Sequence, residues 1–428
     1  MGHIVNSERE YRLLQQRLDQ NITGAPYAPV FIQILQLLFS PAEASIARQI
    51  PLRPTSVKAL ARKTGLDAVE LKEQLLTMAE KGLVFDFEYK GQCHVVLAPV
   101  VIGFFEFVFM RTHDNLNLRE LAELFEQYMF RDDRFARDVF QEATQLGRAL
   151  VREEALPAGD YSEVLDWEKA SHVIRSAKTI GISLCACRHK ASHLDKACDA
   201  PLRTCLTFGS GAQMLINKGI AEPTSVSEAM QVLEQCKQAG LAQIADNVQN
   251  TVGFMCNCCG CCCGMFQAVR TFDIRTAIVT SNWLARIETT RCTGCGLCVK
   301  ACPVEAISLD KASDGALRPK AVCEPGFCLG CGVCYTACKL GCISMTSRDQ
   351  RVMVPETTFD RMVAMAIERG KLSNFLFDDP SRLSHRALGR IASVIEKSAP
   401  VKALMAVKPI RSAFLNAIAA GAQKYIER

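Results

Sequence analysis

Cysteine is the residue on which this sequence turns. The chain has 428 residues and 22 cysteines, and 21 of these fall between Cys185 and Cys342. Two segments repeat at an offset of 36 residues: CTGCGLCVKACPVEAIS, beginning at Cys292, and CLGCGVCYTACKLGCIS, beginning at Cys328. Each has C-x2-C-x2-C-x3-C spacing. Two-residue spacers curve a backbone enough for successive thiolates to converge on one face of a metal cluster. Gly294, Gly296, Gly330 and Gly332 let the chain turn and aim N–H groups at sulfide. Zinc also accepts four cysteines, but its sites do not need this triple run. A disulfide framework belongs to small secreted chains. Here the first residues, MGHIVNSEREYRLLQQRLDQ, are polar and lack an apolar signal core. The thiols are therefore read as reduced, cytoplasmic metal ligands.

From Arg291 to Ser347 the pattern resembles bacterial two-cluster ferredoxins. That resemblance implies two [4Fe–4S] clusters, with the fourth cysteine of each run crossing to the other cluster. Cys292, Cys295, Cys298 and Cys338 would hold one, and Cys328, Cys331, Cys334 and Cys302 the other. The first run carries the proline expected after its last cysteine, Pro303, whereas the second carries Lys339. A lysine beside a cluster would favour its reduced state and separate the two potentials. Cys342 aligns with Ala306 in the repeat and is read as packing on the cluster; Cys323 is open between packing and ligation.

A second cysteine field precedes the repeats. It comprises Cys185, Cys187, Cys198 and Cys205, then the dense run CNCCGCCCG with Cys256, Cys258, Cys259, Cys261, Cys262 and Cys263. Neighbouring side chains in an extended strip point to opposite sides, so adjacent cysteines cannot all face one metal. Gly260 and Gly264 allow a loop that gathers three or four. The expected ligands are Cys185, Cys187, Cys198, Cys205, Cys256, Cys258, Cys259, Cys262 and Cys263, holding at least one further Fe–S cluster. A zinc site and a redox-active dithiol are the alternatives. His189 and His193 are read as solvated. Cys236, on the apolar face of the helix SVSEAMQVLEQCKQAG, is read as core.

The stretches Cys185–Arg188, Cys198–Pro201, Cys205–Gly209 and Cys256–Gly264, followed by the two repeats, resemble a family of large ferredoxin-like proteins of anaerobic bacteria and archaea. The likeness spans residues 25 to 350 and implies electron transfer in anaerobic metabolism without naming a substrate.

The elements that must position these thiols read as an α+β multidomain chain. Residues 1–110 carry an N-terminal winged-helix-like domain: helices at Val30–Phe39, PAEASIARQI, TSVKALARKTG and DAVELKEQLLTMAEKG, then LVFDFEY and CHVVLA joined by a Lys90-Gly91 turn. Residues 111–180 read as a helical linker and 181–290 as a mostly helical cysteine-rich region opened by the β-like TIGISLCACR. Residues 291–348 form the two-[4Fe–4S] ferredoxin-like domain, and 349–428 a helical basic tail. The helix that would enter a DNA groove, Asp67–Lys81, carries four acidic residues against two lysines. Phosphate binding needs the opposite sign, so nucleic acid is not an expected partner.

Net charge is +5, and the residues from Gln350 onward, with 13 Lys and Arg against 7 Asp and Glu, account for it. A membrane surface is one conceivable contact for that tail. The most apolar run, Val95 to Met110, is shorter than the roughly 20 residues a spanning helix needs, so no transmembrane helix is expected. The chain shows no glycine-rich nucleotide loop, haem-attachment motif or H-E-x-x-H. The expected function is an electron-transfer subunit serving a redox protein partner or a larger oxidoreductase complex. A catalytic oxidoreductase subunit working at CNCCGCCC and an Fe–S redox sensor with the winged helix as output are the alternatives.

Overall fold

The computed structural model describes residues 7–112, 116–156, 166–310 and 319–376. Helices Ser7–Asp19, Pro29–Leu38, Pro41–Ala47, Val57–Thr64 and Ala68–Glu80 accompany a three-stranded antiparallel sheet of β1 (Thr55–Ser56, before the fourth helix), β2 (Val84–Tyr89) and β3 (Gln92–Leu97), in the order β1-β3-β2. Local chemistry explains the boundaries. Ser40 and Glu43 form a reciprocal capping box at the Pro41 helix. Asp67 accepts from the N–H groups of Val69 (2.8 Å) and Glu70 (3.1 Å) to start the helix Ala68–Glu80. Lys90 and Gly91, both at positive φ (50° and 69°), make the hairpin turn.

The N-terminal region is docked, not free. Lys218 pairs with Asp86 of β2 at 2.9 Å, with both side chains largely buried. Arg111 donates to the carbonyl of Lys218 at 2.7 Å and also to that of Glu80, at the end of the acidic helix. Gly82 lies so close to Phe107 that a Cβ there would stand 2.8 Å from its Cβ.

The cysteine-rich middle departs from the mostly helical expectation. Its frame is a six-stranded sheet of β4 (Gly147–Ala149), β5 (Ile180–Leu184), β6 (Arg203–Phe208), β7 (Glu222–Pro223), β8 (Ala242–Asp246) and β9 (Phe254–Cys258), ordered β4-β8-β9-β6-β5-β7 with every pair antiparallel. Strands this short leave little periodicity to read, and two of them carry cysteines that suggest loops. β4 lies inside the stretch expected to be a helical linker, and residue 180, its expected end, opens β5. Helices Ala170–Ser176 and Val226–Gln238 cover one face, closing a small core around Leu150, Ile182, Leu206, Leu233 and Met255. The other face carries the thiols.

The C-terminal strands pair as two antiparallel couples, β10 (Trp283–Ile287) with β13 (Ile343–Ser347) and β11 (Ile307–Asp310) with β12 (Lys320–Cys323). Beyond them, helices Thr358–Glu368 and Leu372–Leu376 fold back over the body. Arg361 forms a buried ion pair with Asp246, Glu368 accepts from the Thr144 N–H at 2.7 Å, and Asn374 donates to the Gln20 carbonyl at 3.0 Å. The remainder of the basic tail, and with it the membrane-surface reading, lies outside the described residues. Among the described residues no single helix is long and apolar enough to cross a membrane.

Candidate metal centres

The two cysteine repeats fold as near copies. The Cys292 N–H bonds the Glu288 carbonyl (3.2 Å) as the Cys328 N–H bonds that of Glu324 (3.1 Å). The Glu288 and Glu324 N–H groups reach the carbonyls of Cys342 and Ala306, each at 2.8 Å. Gly296 and Gly332, at φ 75° and 78°, start the short helices Leu297–Ala301 and Val333–Ala337 that carry Cys298 and Cys334. At Gly330 a Cβ would lie 2.2 Å from the Trp283 carbonyl oxygen, so the loop needs glycine for space as well as for its φ of +70°.

This folding brings the ends of the two runs across each other. Cys298 feels the charge of Cys292 and Cys338, while Cys334 feels Cys331, Cys328, Cys302 and also Cys298 of the other run. Cys295 is exposed. Sulfur atoms receive backbone donors, from the Ala306 N–H to Cys302 (3.2 Å) and from the Ala321 N–H to Cys292 (3.5 Å). Seven of the eight thiols interact with one another across the two runs, with N–H groups aimed at sulfur, an arrangement of the kind that iron–sulfur clusters use. Cys342 lies 3.2 Å from Cys338, sulfur to sulfur. Cys323 hydrogen-bonds Cys328 and holds its thiol down at about 6, against burial. Both extra cysteines stand where the repeat places core residues: Cys323 opposite Ile307, in the position Ile287 takes opposite Ile343.

The positive charge at this module is not where the sequence suggests it. Lys339 is exposed, so water screens it. Arg152 is buried instead. It donates to the hydroxyl of Thr336 and to the carbonyls of Lys237 (2.9 Å) and Leu241 (3.1 Å), and lies against Cys331 and Cys334. Arg348 lies beside Cys328 and Cys323, donating to the Ser281 carbonyl at 2.9 Å and to that of Cys328. Neither arginine stands out in the sequence, because only the fold carries them to the cysteines.

The second field splits in two, as side-chain alternation requires. Cys256 and Cys258 share a face of β9, with Met255 and Asn257 on the other. Cys205 on β6 joins them; a register shift after Ser183 ends β5 just before Cys185, and Cys185 and Cys187 open the helix Ala186–Ser192. Cys263 is the residue that precedes the helix Gly264–Phe272, where hydrogen bonds from Cys187 and Cys258 hold its thiol well below the usual range. Cys256 is likewise lowered by donors from Cys205 and Cys258. These six cysteines line an apolar cavity of about 130 Å³, whose wall also includes Cys259 and Cys262. Glu106 is the one carboxylate in its wall; burial pushes it up to about 8, against a 3.0 Å hydrogen bond from the Gly103 N–H.

The other four, Cys198, Cys259, Cys261 and Cys262, place their sulfurs within 4.8 Å of one another. Cys261 is absent from the ligand set expected from sequence, and only the fold shows that it joins Cys198. Arg188, 1 % exposed, lies between the two groups, near Cys185 on one side and hydrogen-bonded to Cys198 and Cys259 on the other. His189 and His193 are not simply solvated: His189 is buried against the Phe109 carbonyl (2.8 Å), and its Nε2 faces that of His193 at 3.2 Å. Cys236 is fully buried in the helix Val226–Gln238.

The cysteine loop touches the ferredoxin-like repeats. A Cβ on Gly260 would stand 2.8 Å from the Pro303 carbonyl oxygen and 3.0 Å from its Cα, immediately after Cys302. Arg270 clasps this contact, donating to the Gly260 carbonyl (2.8 Å) and to Glu305 (3.0 Å).

Residues 291–342 match the family model described as a 4Fe-4S dicluster domain. No curated protein and no solved structure gives a significant match to the chain.

Proposed function

We propose that this protein carries electrons between a redox partner and a further metal–thiolate centre of its own. Cys292, Cys295, Cys298 and Cys338 hold one [4Fe–4S] cluster, and Cys328, Cys331, Cys334 and Cys302 the other. Each cluster, when bound, stores or releases one electron. The six thiols Cys185, Cys187, Cys205, Cys256, Cys258 and Cys263 hold an additional Fe–S cluster at the cavity. The observation that carries this reading is the Gly260–Pro303 contact, which sets the cysteine loop directly against the residue after Cys302. This contact supports a short path between the two metal-binding regions. The donor or acceptor is a redox protein or a larger oxidoreductase complex, met in a reducing compartment where 22 thiols stay free.

Anaerobic iron and sulfide counting with EPR of the reduced protein tests this. The expected result is more than eight irons per chain, with two spin-coupled clusters. Eight or fewer in fully loaded protein would remove the additional cluster and leave a simple ferredoxin-like carrier.

One observation favours a second reading, substrate reduction at the cavity. Glu106 offers a protonatable group beside six thiols in an otherwise apolar wall, the composition of a small-molecule site. Under that reading, the reduced protein would be reoxidised by a small apolar electron acceptor, and Glu106→Gln would abolish this while leaving iron content intact.

A further inference from the structure

The ten thiols of the second field are not equivalent, and their geometry separates two kinds of metal chemistry. We propose that Cys198, Cys259, Cys261 and Cys262 form a mononuclear, sulfide-free site for one tetrahedral divalent ion, zinc or ferrous iron, distinct from the six-thiol cluster site at the cavity. This deepens the electron-carrier reading without depending on it, since it concerns four thiols that the carrier reading does not use.

Size is the first argument. A divalent ion with four metal–sulfur bonds of about 2.3 Å holds its sulfurs about 3.8 Å apart. A cubane has an iron and a bond between its centre and each thiolate, which places those sulfurs roughly 6 Å apart. The four sulfurs here lie within 4.8 Å of one another, with Cys261 and Cys262 at 3.6 Å. The same structure supplies the contrast: among the described residues no other group of three or more His, Cys, Asp or Glu ligand atoms draws together so closely, and neither ferredoxin quartet does. The repeats match a dicluster domain and stay open; this quartet closes to the span of a single ion.

Charge is the second. Four thiolates around a divalent ion leave a net charge of −2, which needs a counter-charge where water is scarce. Arg188 supplies one. Its guanidinium is buried, lies beside Cys198 and Cys259, and is anchored to the Asn257 carbonyl at 3.3 Å; its Nε has no hydrogen-bond partner among the described residues. Leaving a buried guanidinium N–H unpaired is costly in a neutral cysteine cluster and reasonable beside an anionic one.

Backbone geometry supplies the third. Cys258 and Cys259 are adjacent, as are Cys262 and Cys263, and each pair divides its thiols between the two groups. Cys258 and Cys263 hydrogen-bond each other, while Cys259 bonds Cys262 and Cys261 in the quartet, and all four residues border the cavity. Glycine at position 260 allows the turn between them and its close approach to Pro303. A metal ion at this turn pins the loop where it meets the ferredoxin-like repeats.

The test is metal and sulfide analysis of the full chain, purified anaerobically, with and without Cys261→Ser. Cys261 is solvent-exposed, so the substitution leaves the packing of the loop largely intact. The variant should lose one metal per chain with acid-labile sulfide unchanged. Loss of zinc identifies one ion and loss of iron the other, and X-ray absorption at that metal's edge should show sulfur neighbours at about 2.3 Å with no second metal. Two results would overturn the proposal: about four irons and their sulfides lost together, or no change in any metal. Cys198→Ser serves as the second variant and should reproduce the single-metal loss; retention of the metal there would exclude Cys198 and dismantle the quartet.

Discussion

Replacing Arg152 by glutamine should lower the reduction potential of the cluster assigned to Cys328, Cys331, Cys334 and Cys302. The guanidinium is buried and lies against Cys331 and Cys334, so bulk water screens it poorly. At a separation on the order of 7 Å and an effective dielectric near 20, one unit charge contributes about 2 kcal/mol to the added electron. For a one-electron couple that is about 100 mV, taking ~59 mV per tenfold change in equilibrium constant. Burial alone does not explain such a shift, which is why Arg152→Lys is the necessary control: it retains the charge while disturbing the bonds to the Lys237 and Leu241 carbonyls. Anaerobic EPR-monitored titration should show the glutamine variant shifted down by about 100 mV and the lysine variant by less than half of that. Lys339→Gln should move neither cluster by more than about 20 mV, because that side chain is exposed and screened. Equal shifts in both Arg152 variants would show that packing sets the potential, and the electrostatic argument would fail.

Three other outcomes follow from the same geometry. Gly260→Ala forces a methyl against backbone atoms of Pro303 at 2.8 and 3.0 Å; anaerobic denaturation should show a loss of about 1–3 kcal/mol, and a change under about 0.5 kcal/mol would mean that the loop yields freely. Cys298→Ala and Cys334→Ala should each perturb one ferredoxin-type cluster, whereas Cys236→Ala and Cys342→Ala should leave iron content unchanged; iron lost from either of the latter would make a ligand of a residue assigned here to packing. The full chain should show no salt-sensitive DNA binding at physiological ionic strength, since the helix that would enter the groove has a net charge of −2 and its end is tied to the body through Arg111; micromolar binding that weakens steeply with salt would favour a sensor.

How much was legible depended on whether information lay along the chain or across it. The ferredoxin-like repeats were legible because a cluster loop is local: glycines at fixed offsets and two-residue spacers place three thiols without help from elsewhere. The helix starts at Ser40, Asp67 and Ser225 were legible for the same reason, each cap being satisfied within three residues. The six-stranded sheet was not. Its edge strand β7 is two residues long, β4 is three, and β9 reads FMCNC, where alternation is hidden because cysteine serves as the inward residue. The pairing of Cys261 with Cys198 was out of reach as well, because it depends on how the helix after Cys185 and the loop after Cys258 come together.

Three arginines, Arg152, Arg188 and Arg348, connect the thiol groups to the rest of the fold, and they account for something that the cysteines alone do not. Arg188 sits beside the quartet's Cys198 and Cys259, while Arg152 (beside Cys331 and Cys334) and Arg348 (beside Cys328) flank one and the same ferredoxin-type centre. Arg152 and Arg188 are both 1 % exposed, and each has a buried Nε without a hydrogen-bond partner among the described residues. Burying a guanidinium costs several kcal/mol unless an opposite charge lies close by. Arg152 has the Glu154 carboxylate close by, ahead of Cys331 and Cys334, whereas Arg188 faces only thiols, Cys185, Cys198 and Cys259. Protonated thiols offer no charge; metal-bound thiolates do, because binding a metal displaces the proton, so Arg188 is placed for a protein whose thiols are ligated. Arg152 also holds the sheet region to Thr336 of the ferredoxin-like repeats, so the Arg152 variants test the link between the two regions together with the charge beside Cys331 and Cys334.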